Sequence, residues 1–543
     1  MMLPHAAVPL PPAMSALADD RLWCRLDSAD GTRALDRIAI EGVPGADVQG
    51  SGAQAIAGAT LMQRAGQAAF DLLRQRWPDA QRLLVCCGGG NNGGDGYVVA
   101  RLAADAGLAP VILPLVPLDA LKGDALTMAE RAADVPHIAL TELPAALHDT
   151  DLIVDALLGT GLSTPVREPV AGLIDALNAS GKPSLALDLP SGLHADTGNP
   201  LGVAVRASAT ITFIGVKTGL LTGAGPDHCG ALHFDDLDVP AAVYAAVPPA
   251  ALCPRPALIS EMLPRRLRAG HKGLYGHVLV IGGDQGYAGA AMMAAQAALR
   301  CGAGLVSVAT RAEHVSGFLT RQPELMVPGT ETRAALDTLL AKASVLVVGP
   351  GLGQGAWGRT MLAAAVDAGL PMVLDADAIN LLAAQDLPRR ANAVWTPHPG
   401  EAARMLDYST AAIQQDRFAA LRKLTAATGG AVLLKGVGTL ISASVGASGD
   451  ALPPVLIQRG NPGMATGGMG DVLSGIIGAL LGQGLMPRDA AAVGALVHAM
   501  AADRCTASAG ERGLLATDLL AQLPALVNGI GLYEAAHRDA AHD

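Results

Sequence analysis

The chain has 543 residues, which is too long for one hydrophobic core and favours a division into two domains. Hydrophobic residues make up 51% of it and aromatic residues only 3%, so the cores must be built from Ala, Val, Leu and Ile, as where helices pack on buried parallel strands. The formal net charge of −11 excludes a broad nucleic-acid-binding surface, which needs clustered Lys and Arg.

The cysteines and the apolar segments indicate the compartment. Seven cysteines occur without a C-x-x-C spacing, and an odd number fits a reduced compartment better than a disulfide framework. The N-terminal segment lacks a basic region before its apolar residues, and the longer apolar runs are short and broken by glycine. We therefore expect a cytoplasmic protein with neither a membrane nor a nucleic-acid partner.

The first half of the chain predicts a doubly wound parallel sheet. A loose tail is expected over residues 1–28, and the pattern becomes helical from Thr32. A flexible insertion of small residues is expected over residues 42–60, before a helix over residues 61–77. Strands are then predicted over residues 83–87, 111–115, 151–155 and 184–188, with a helix over residues 97–106. In such a sheet, ligands bind at the carboxyl ends of the strands.

The second half repeats this alternation after a break. A proline-rich segment over residues 241–268 predicts a linker between an N-terminal domain, residues 29–240, and a C-terminal domain, residues 269–527. Residues 528–543 read as a polar tail. Strands of the C-terminal domain are predicted over residues 277–281, 305–308, 345–348, 372–374 and 431–434.

A glycine-rich segment over residues 463–471 carries the clearest chemical signal. It places Gly467, Gly468 and Gly470 directly before Asp471 and before the start of a predicted helix. Glycines let backbone N–H groups turn toward an anion, the helix adds the positive end of its dipole, and the carboxylate can take a proton from a hydroxyl. This segment predicts phosphate chemistry.

A second glycine-rich loop lies over residues 88–96. Gly88, Gly90 and Gly93 satisfy the G-x-G-x-x-G spacing of dinucleotide-binding loops, but the acidic residue expected at the end of the next strand is missing. The loop also contains Asn91, Asn92 and Asp95, whose oxygens suit a cation or a ribose-phosphate better than a bare pyrophosphate.

Two further predicted strands end in an acid followed by small residues. Asp155 precedes the Gly159-Thr160-Gly161 turn, and Asp188 precedes Ser191. Each turn alone is better explained by an acid that caps a helix and glycines that turn the chain than by a site. A parallel sheet brings both turns and the glycine loop to one edge, so the three together predict a site.

These three segments resemble the N-terminal epimerase domain of the bifunctional NAD(P)H-hydrate repair enzymes, over about residues 30–240. The resemblance implies a Rossmann-like fold, interconversion of the R and S forms of NADHX and NADPHX, and a potassium ion held by Asn92, Asp155 and Ser191. It also implies hydrate contacts from Asn91, Asn92, Gly93, Gly94, Asp95, Gly159, Thr160, Gly161, Leu162, Ser163, Thr164, Pro165 and Asp188.

Epimerisation at the hydrated ring carbon requires either loss and re-addition of water or reversible ring opening. Asp188 is the expected proton shuttle, because a carboxylate at a strand end can exchange a proton with the substrate. Lys217 is an alternative helper, although a solvated lysine explains it equally well.

Four loops of the second half carry candidate contacts, over residues 282–290, 349–353, 397–401 and 435–439. A P-loop is not predicted at residues 353–360, because Arg359 stands where the lysine belongs and Trp357 crowds the loop. His398 lies between two prolines that fix its backbone, which favours a substrate contact; zinc is disfavoured because no second ligand lies at a suitable spacing. Lys435 is either a snorkelling lysine or an adenylate contact.

With Asp471, these loops resemble the C-terminal dehydratase domain of the same enzymes, a ribokinase-like α/β/α domain, over about residues 255–527. The resemblance implies ADP-dependent removal of water from the S hydrate, with magnesium accompanying the ADP and with AMP and phosphate as products. Asp471 would deprotonate the ring hydroxyl for attack on the terminal phosphate. The implied hydrate contacts are Ala288, Gly351, Gly353, His398 and Asp471; the implied nucleotide contacts are Lys435, Gly436, Val437, Gly438, Thr439 and Gly470.

Two alternatives stay open from the sequence. A ribokinase-like small-molecule kinase fused to a nucleotide-binding module would use the same Gly470-Asp471 pair, and its product would keep the phosphate. The N-terminal half could also sense a nucleotide without converting it, although Asn92, Asp155, Asp188 and Ser191 argue against a pure binding module. A homo-oligomer is expected in either case.

Overall fold

The computed structural model describes residues 21–43, 55–385, 387–444 and 452–532. Within these residues the chain forms two compact units, one over residues 25–251 and one over residues 252–532 together with residues 21–24. Most of the expected insertion, residues 44–54, and most of both expected tails lie outside the described residues. None of the described helices is long and apolar enough to cross a membrane.

The elements up to the boundary between the units follow the predicted alternation. In chain order they are β1 (Trp23–Leu26), α1 (Ala29–Glu41), α2 (Gly58–Arg76), β2 (Arg82–Cys87), α3 (Asn91–Asp105), β3 (Ala109–Pro114), α4 (Gly123–Arg131), α5 (Leu143–Asp149), β4 (Leu152–Ala156), α6 (Val170–Ala179), β5 (Ser184–Leu187), β6 (Ala209–Phe213), α7 (Gly225–Cys229), β7 (Ala231–Asp235) and α8 (Ala241–Ala245).

The described strands of the first unit form a six-stranded sheet in the order β3-β2-β4-β5-β6-β7, with every neighbouring pair parallel. Side chains alternate between its faces, as strand geometry requires. Leu83 and Val85 join the core formed with helices α1 to α4, whereas Leu84 and Cys86 join the core formed with α5 and α6. The predicted doubly wound, three-layer architecture is confirmed.

The glycine loop differs from its prediction, because α3 begins at Asn91 and not at residue 97. Gly93 and Gly94 are therefore helical residues packed against the strand end. A Cβ atom on Gly93 would lie 2.0 Å from the Gly88 carbonyl oxygen, and one on Gly94 would lie 2.5 Å from the Met62 sulfur. These two glycines allow the helix to approach β2 and α2 closely.

The second unit contains the remaining described elements. In chain order they are β8 (Ala251–Pro254), α9 (Ala257–Met262), β9 (His277–Ile281), α10 (Ala288–Arg300), β10 (Leu305–Ala309), α11 (Val315–Arg321), α12 (Arg333–Leu340), β11 (Val345–Val348), α13 (Ala356–Asp367), β12 (Met372–Leu374), α14 (Ala376–Ala383), β13 (Ala393–Trp395), α15 (Pro399–Leu406), α16 (Thr410–Gln415), α17 (Arg417–Thr428), β14 (Ala431–Leu434), β15 (Thr439–Ala443), β16 (Val455–Ile457), α18 (Met469–Gly482), α19 (Pro487–Ala509) and α20 (Leu523–Val527).

The described part of this sheet has ten strands in the order β1-β8-β16-β15-β14-β13-β12-β11-β9-β10. The run from β10 to β14 is parallel, and β15 and β16 continue it in antiparallel pairing. Helix α18 contacts both α10 and α19 on the core shared with this sheet, whereas α17 contacts β14 and α13 contacts β11. The predicted three-layer α/β/α fold is confirmed for this unit as well.

Two segments expected to lack regular structure contain strands. The expected tail includes β1, and the expected linker contains α8, β8 and α9. The prolines do not prevent this, because β8 is only four residues long and buries Leu252 and Cys253. Leu252 is also aligned with Val455 of β16. Short strands of this kind depend on partners that are distant in the chain, which local composition does not reveal.

Candidate functional sites

The first unit holds a cavity of about 540 Å³ at the carboxyl ends of its parallel strands. Its wall combines loops after β2 and β4 with residues of α1, α2 and α3. The predicted contact residues that line the cavity are Asn91, Asn92, Asp95, Gly159, Thr160, Gly161, Leu162 and Asp188. The structure therefore brings the glycine loop and Asp188 to one cavity at the edge of the parallel sheet, whereas Asp155 is fully buried and does not line it.

The other predicted contacts of this site do not form the wall. Gly93 and Gly94 are buried within α3, and Ser163, Thr164 and Pro165 are exposed. None of these five is among the described residues that line the cavity. Their contact with a hydrate stays a prediction.

Asp188 and Lys217 form an ion pair at the cavity. Asp188 follows β5 with a backbone φ of 65°, a left-handed conformation that non-glycine residues seldom adopt outside functional sites. Lys217 is fully buried, and its ammonium group contacts the Asp188 carboxylate while donating to Thr212 Oγ1 and the Phe213 carbonyl, both at 3.0 Å. The solvated-lysine interpretation of Lys217 is therefore wrong, because the side chain has no contact with solvent and its ammonium group is bound by protein oxygens.

Asn92, Asp155 and Ser191 lie together around the Leu158 carbonyl oxygen. Asn92 Nδ2 donates to that oxygen at 3.2 Å, and Ser191 Oγ lies 3.3 Å from it. Ser191 donates to the fully buried Asp155 carboxylate through Oγ at 2.6 Å and through its backbone N–H at 2.8 Å. Burial raises the pKa of Asp155 to about 6, although these hydrogen bonds oppose the rise.

The oxygen chemistry of this group fits a monovalent cation. Asn92 Oδ1 is buried without a hydrogen-bond partner in the described structure, which leaves an acceptor that a cation can satisfy. Nearby oxygens are the Leu158 carbonyl, the Ser191 hydroxyl and the Asp155 carboxylate. Over the described residues, no group of three or more His, Cys, Asp or Glu is placed to hold a metal ion, so a site built for a transition metal is not indicated.

Asp36 is a cavity residue that the sequence did not identify. It projects from α1, together with Thr32 one turn earlier, and both residues line the cavity. Burial raises the pKa of Asp36 to about 6, the Lys217 charge opposes this, and the Asp188 charge adds to it. The only available signal was the four-residue spacing of Thr32 and Asp36 on a helix, which does not say what the helix faces.

In the second unit, the predicted loops meet at the carboxyl ends of neighbouring parallel strands. Gly283 N–H donates to the Pro350 carbonyl at 3.0 Å, and Asp284 N–H donates to the Gly351 carbonyl at 2.7 Å. Gly353 N–H donates to Asp377 at 3.0 Å, which links this loop to the start of α14. Ala288 opens α10 directly after the first of these loops. Ala288, Gly351 and Gly353 therefore share one edge of the sheet.

Lys435 and Asp375 form the buried centre of this edge. Lys435 Nζ lies 2.8 Å from Asp375 Oδ1 and 3.8 Å from Glu401 Oε2. Asp375 also accepts from Thr396 Oγ1 at 2.9 Å and from Ser474 Oγ at 2.8 Å. Burial alone would raise the pKa of Asp375, but the Lys435 charge and these hydrogen bonds outweigh it and hold the pKa below its usual value. The snorkelling interpretation of Lys435 is wrong, because its ammonium group is held at the site.

Asp471 lies in the first turn of α18, beside this ion pair. Gly468 caps the helix in a left-handed conformation with φ 92°, which glycine adopts readily. A Cβ atom on Gly470 would lie 3.2 Å from Lys435 Nζ, so the glycine lets the helix start approach the lysine. Burial and the Asp375 charge raise the pKa of Asp471 to about 7, although Lys435 opposes this. This shift moves the ionisation of Asp471 from the acidic range toward neutral pH.

His398 caps the N-terminus of α15. Its Nδ1 accepts from the Gly400 N–H at 3.0 Å, and its own backbone N–H donates to Glu401 at 2.8 Å. Because Nδ1 accepts, the neutral ring carries its proton on Nε2, which lies 3.3 Å from Glu401 Oε1. Burial and the Lys435 charge lower the pKa of His398, which favours this neutral form. The prolines fix a helix cap, and a substrate contact by the ring stays a prediction.

The loop over residues 435–439 rests on a buried arginine that the sequence did not identify. Arg417 is 2% exposed and donates to the carbonyl oxygens of Leu434, Lys435 and Gly438 at 3.3 to 3.4 Å. A Cβ atom on Gly436 would lie 2.7 Å from the guanidinium, so glycine is needed there. Arg417 thus fixes the shape of the loop whose residues Lys435, Gly436, Val437, Gly438 and Thr439 were predicted to contact a nucleotide.

Comparison with known proteins finds two family models that match separate parts of the chain. A family model described as NAD(P)H-hydrate dehydratase matches residues 278–525, and one described as YjeF-related protein N-terminus matches residues 58–219. The bifunctional NAD(P)H-hydrate repair enzyme Nnr of Coxiella burnetii is 46% identical, covering 91% of this chain and 98% of the relative. The enzyme of the same name from Escherichia coli K12 is 47% identical, covering 86% of this chain and 89% of the relative.

Among solved structures, the ADP/ATP-dependent NAD(P)H-hydrate dehydratase from Bacillus subtilis, co-crystallized with ATP/Mg2+, is 28% identical to this chain. The match covers 50% of this chain and 95% of that one, with a TM-score of 0.44.

Proposed function

Because the chain belongs to the family of bifunctional NAD(P)H-hydrate repair enzymes, we propose that the two reactions of that family are divided between the two sites described above. The first unit interconverts the R and S forms of NADHX and NADPHX in its cavity. The second unit removes water from the S form in an ADP-dependent reaction, which yields NAD(P)H, AMP and phosphate. The epimerase feeds the stereospecific dehydratase, which gives the fusion a chemical purpose.

In the epimerase cavity, Asp188 is the proposed proton shuttle. Both residues line the cavity, but the Asp188 carboxylate is 17% exposed and its partner Lys217 is not exposed, so the oxygens of Asp188 are the more accessible. A carboxylate there can take a proton from the hydroxyl or from an incoming water. Asn91, Asp95 and the turn over residues 159–162 would then hold the nicotinamide and its ribose.

Potassium is the proposed resident cation of this cavity. Asn92 Oδ1, the Leu158 carbonyl, Ser191 Oγ and Asp155 would hold it, and the unpartnered Asn92 oxygen is the observation that supports this. When bound, potassium supplies a fixed positive charge near the turn that is proposed to hold the substrate.

In the second unit, Asp471 is the proposed base. It would take the proton of the ring hydroxyl, whose oxygen then attacks the terminal phosphorus of the nucleotide. The amides at the start of α18 would hold the phosphoryl oxygens, and Lys435 would offset their charge. The phosphate ester then leaves with the C–O bond electrons while a neighbouring carbon loses its proton, which forms the ring double bond. Magnesium would enter on the nucleotide phosphates.

The observation that carries this proposal is the position of Asp471. A carboxylate with a pKa of about 7 stands in the first turn of a helix, beside a lysine fixed by a buried aspartate. A small-molecule kinase would use the same arrangement and differ only in keeping the phosphate on its product. The cavity of the first unit and the similarity along both halves of the chain favour repair.

The test uses the full chain and racemic hydrate with ADP, following reduced cofactor by absorbance and the hydrate forms by chromatography. We expect Asp188→Asn to abolish R-to-S conversion while leaving dehydration of purified S hydrate intact. We expect Asp471→Asn to lower dehydration by about 1,000-fold while leaving epimerisation intact. A phosphorylated product in place of NAD(P)H would support the kinase instead, and dehydration that survives Asp471→Asn would refute the assigned base.

A further inference from the structure

The cavity of the first unit has one wall that the proposed mechanism does not use. This wall is the face of α1 that carries Thr32 and Asp36, with Arg33 and Ile40 beside them. Residues four apart lie on the same helix face, so Thr32 and Asp36 point into the cavity together. The wall comes from a helix at the start of the unit, whereas Asp188 and Lys217 follow strands β5 and β6.

The Thr32 hydroxyl indicates that this wall meets a ligand. Thr32 is 6% exposed, and its Oγ1 is buried without a hydrogen-bond partner among the described residues. A buried hydroxyl without a partner costs free energy, and native structures rarely leave one unless a ligand or water satisfies it. Since the residue lines the cavity, a polar group of the substrate is the natural partner.

The carboxyl groups of the cavity differ in their partners. Asp188 contacts the Lys217 ammonium. Asp36 has no such contact in the described structure: burial raises its pKa to about 6, and no hydrogen bond contributes to the shift. Asp95 is deeper, and burial raises its pKa well above the usual value. Asp36 is therefore a carboxyl group of the wall that can both give and accept a proton near neutral pH.

Inversion at a ring carbon through loss of water needs two proton transfers on opposite faces of the ring. On one face the C–O bond breaks, its electrons stay on oxygen, and an acid protonates that oxygen to water while the ring nitrogen forms the C=N bond. On the other face a water adds to the carbon and passes a proton to a base. The acid has then become a carboxylate, and the original carboxylate has become an acid. Conversion in the opposite direction returns both groups to their first protonation states.

We propose that Asp36 is the second proton-transfer group of the epimerase, acting on the ring face opposite to Asp188, with the Thr32 hydroxyl binding the substrate beside it. This inference rests on the epimerase function proposed above and adds a residue to it. A single carboxylate would have to serve both faces, whereas groups on α1 and after β5 can each serve one. The remaining charged groups of the wall are Arg33 and Asp124.

The experiment measures R-to-S conversion by the potassium-loaded full chain for the wild type, Asp36→Asn, Asp36→Glu and Glu41→Gln. Glu41 lies at the exposed end of the same helix and outside the cavity wall, so its variant is the matched control. We expect Asp36→Asn to lower kcat by about 100-fold with little change in KM for the hydrate. Asp36→Glu should recover most of the rate, and Glu41→Gln should match the wild type.

Two further readouts separate a proton-transfer role from a structural one. In Asp36→Asn, the potassium concentration for half-maximal rate and the dehydration of purified S hydrate should both stay at wild-type values. The inference is overturned if Asp36→Asn keeps a wild-type kcat, if Asp36→Glu is as slow as Asp36→Asn, or if the potassium response collapses with the rate. A wild-type chain that fails to interconvert the hydrates would instead refute the proposed epimerase function, so the two failures are distinct.

Discussion

The two sites use the same pair of residues in opposite ways. Each site has a lysine that forms an ion pair with an aspartate near the ends of the strands. The pair is Lys217 with Asp188 in the first unit and Lys435 with Asp375 in the second. In the first unit the lysine is fully buried and the aspartate is 17% exposed, so the aspartate faces the substrate space. In the second unit the aspartate is 2% exposed and the lysine is 21% exposed, so the lysine faces it.

This difference fits the proposed roles. Asp375 is 2% exposed and accepts hydrogen bonds from Lys435, Thr396 and Ser474, which suits a residue that orients the lysine. The proposed base is therefore Asp471, whose pKa is raised to about 7. In the first unit the proposed proton-transfer groups are the paired Asp188 and the carboxyl group with the raised pKa, Asp36. In the proposed roles, the paired aspartate of the first unit moves a proton itself, whereas the paired aspartate of the second unit only holds its lysine.

The largest expected effect is the loss of stability when Lys435 is removed. Lys435→Met leaves Asp375 buried without its counter-charge, which should lower the free energy of unfolding of the second unit by about 3–5 kcal/mol. Lys217→Met should cost less, because the Asp188 left behind has some exposure to water. The change for Lys435→Met is measured by unfolding in urea. The fluorescence of Trp395, which is buried in the second unit, monitors the unfolding.

The control for this prediction is the double variant Lys435→Met with Asp375→Asn. It removes both charges and keeps hydrogen-bonding groups for Thr396 and Ser474, so most of the lost stability should return. If Lys435→Met unfolds at wild-type urea concentrations, Asp375 does not depend on the lysine and the comparison between the two pairs fails.

The second-largest expected effect is a fall in the rate of dehydration at acidic pH. Asp471 must be ionised to act as a base, and its raised pKa of about 7 means that the ionised fraction falls as the pH drops below 7. We therefore expect kcat/KM for the S hydrate to fall about tenfold per pH unit below 7 and to level off above it. Rate measurements with purified S hydrate across this range check the slope.

His398 is the nearby group that could confuse this pH profile. Burial and the Lys435 charge lower its pKa, whereas the pKa of Asp471 is raised to about 7, so the two shifts separate the ionisations. His398→Asn should retain the same ionisation near pH 7, whatever it does to the absolute rate. A profile that flattens in His398→Asn would assign the ionisation to the histidine and remove Asp471 from the role of base.

The smallest expected effect concerns the potassium site. Asn92→Ala removes the unpartnered amide oxygen, and the loss of one neutral oxygen contact should raise the potassium concentration for half-maximal epimerisation by about tenfold. Titrating potassium at fixed ionic strength measures the change. Asn178→Ala is the control, since Asn178 donates to the Ala204 carbonyl at 3.0 Å and does not line the cavity. An unchanged potassium response in Asn92→Ala would contradict the assignment of the ligand.

Local sequence was sufficient for the central strands and for the loops that follow them. The strands His277–Ile281, Val345–Val348, Met372–Leu374 and Ala431–Leu434 have the predicted bounds. They are apolar runs flanked by glycine or proline, a pattern that belongs to strands buried on both faces. Once these strands are parallel, their carboxyl ends share an edge, which is why loops far apart in the chain were expected to meet.

Local sequence patterns did not predict the peripheral strands or the residue at which α3 begins. Strands β1, β8 and β16 have three or four residues and depend on neighbours that come from distant parts of the chain. Helix α3 begins inside the glycine run because Gly93 lets it approach the Gly88 carbonyl, a close contact that no propensity encodes. The sequence predicted a loop over residues 88–96, whereas in the packed structure the helix already begins at Asn91.

The sequence by itself determined two α/β domains, the strand-end loops and the acids Asp155, Asp188 and Asp471, because hydrophobic periodicity and glycine-rich turns act within a few residues of the chain. Only the tertiary structure decided which carboxylates are paired, buried or available. Asp36, Asp375 and Arg417 acquire their roles from burial and from charges on other elements. Desolvation and Coulomb interactions depend on distances in space, and these are fixed only when the sheet and its helices are packed.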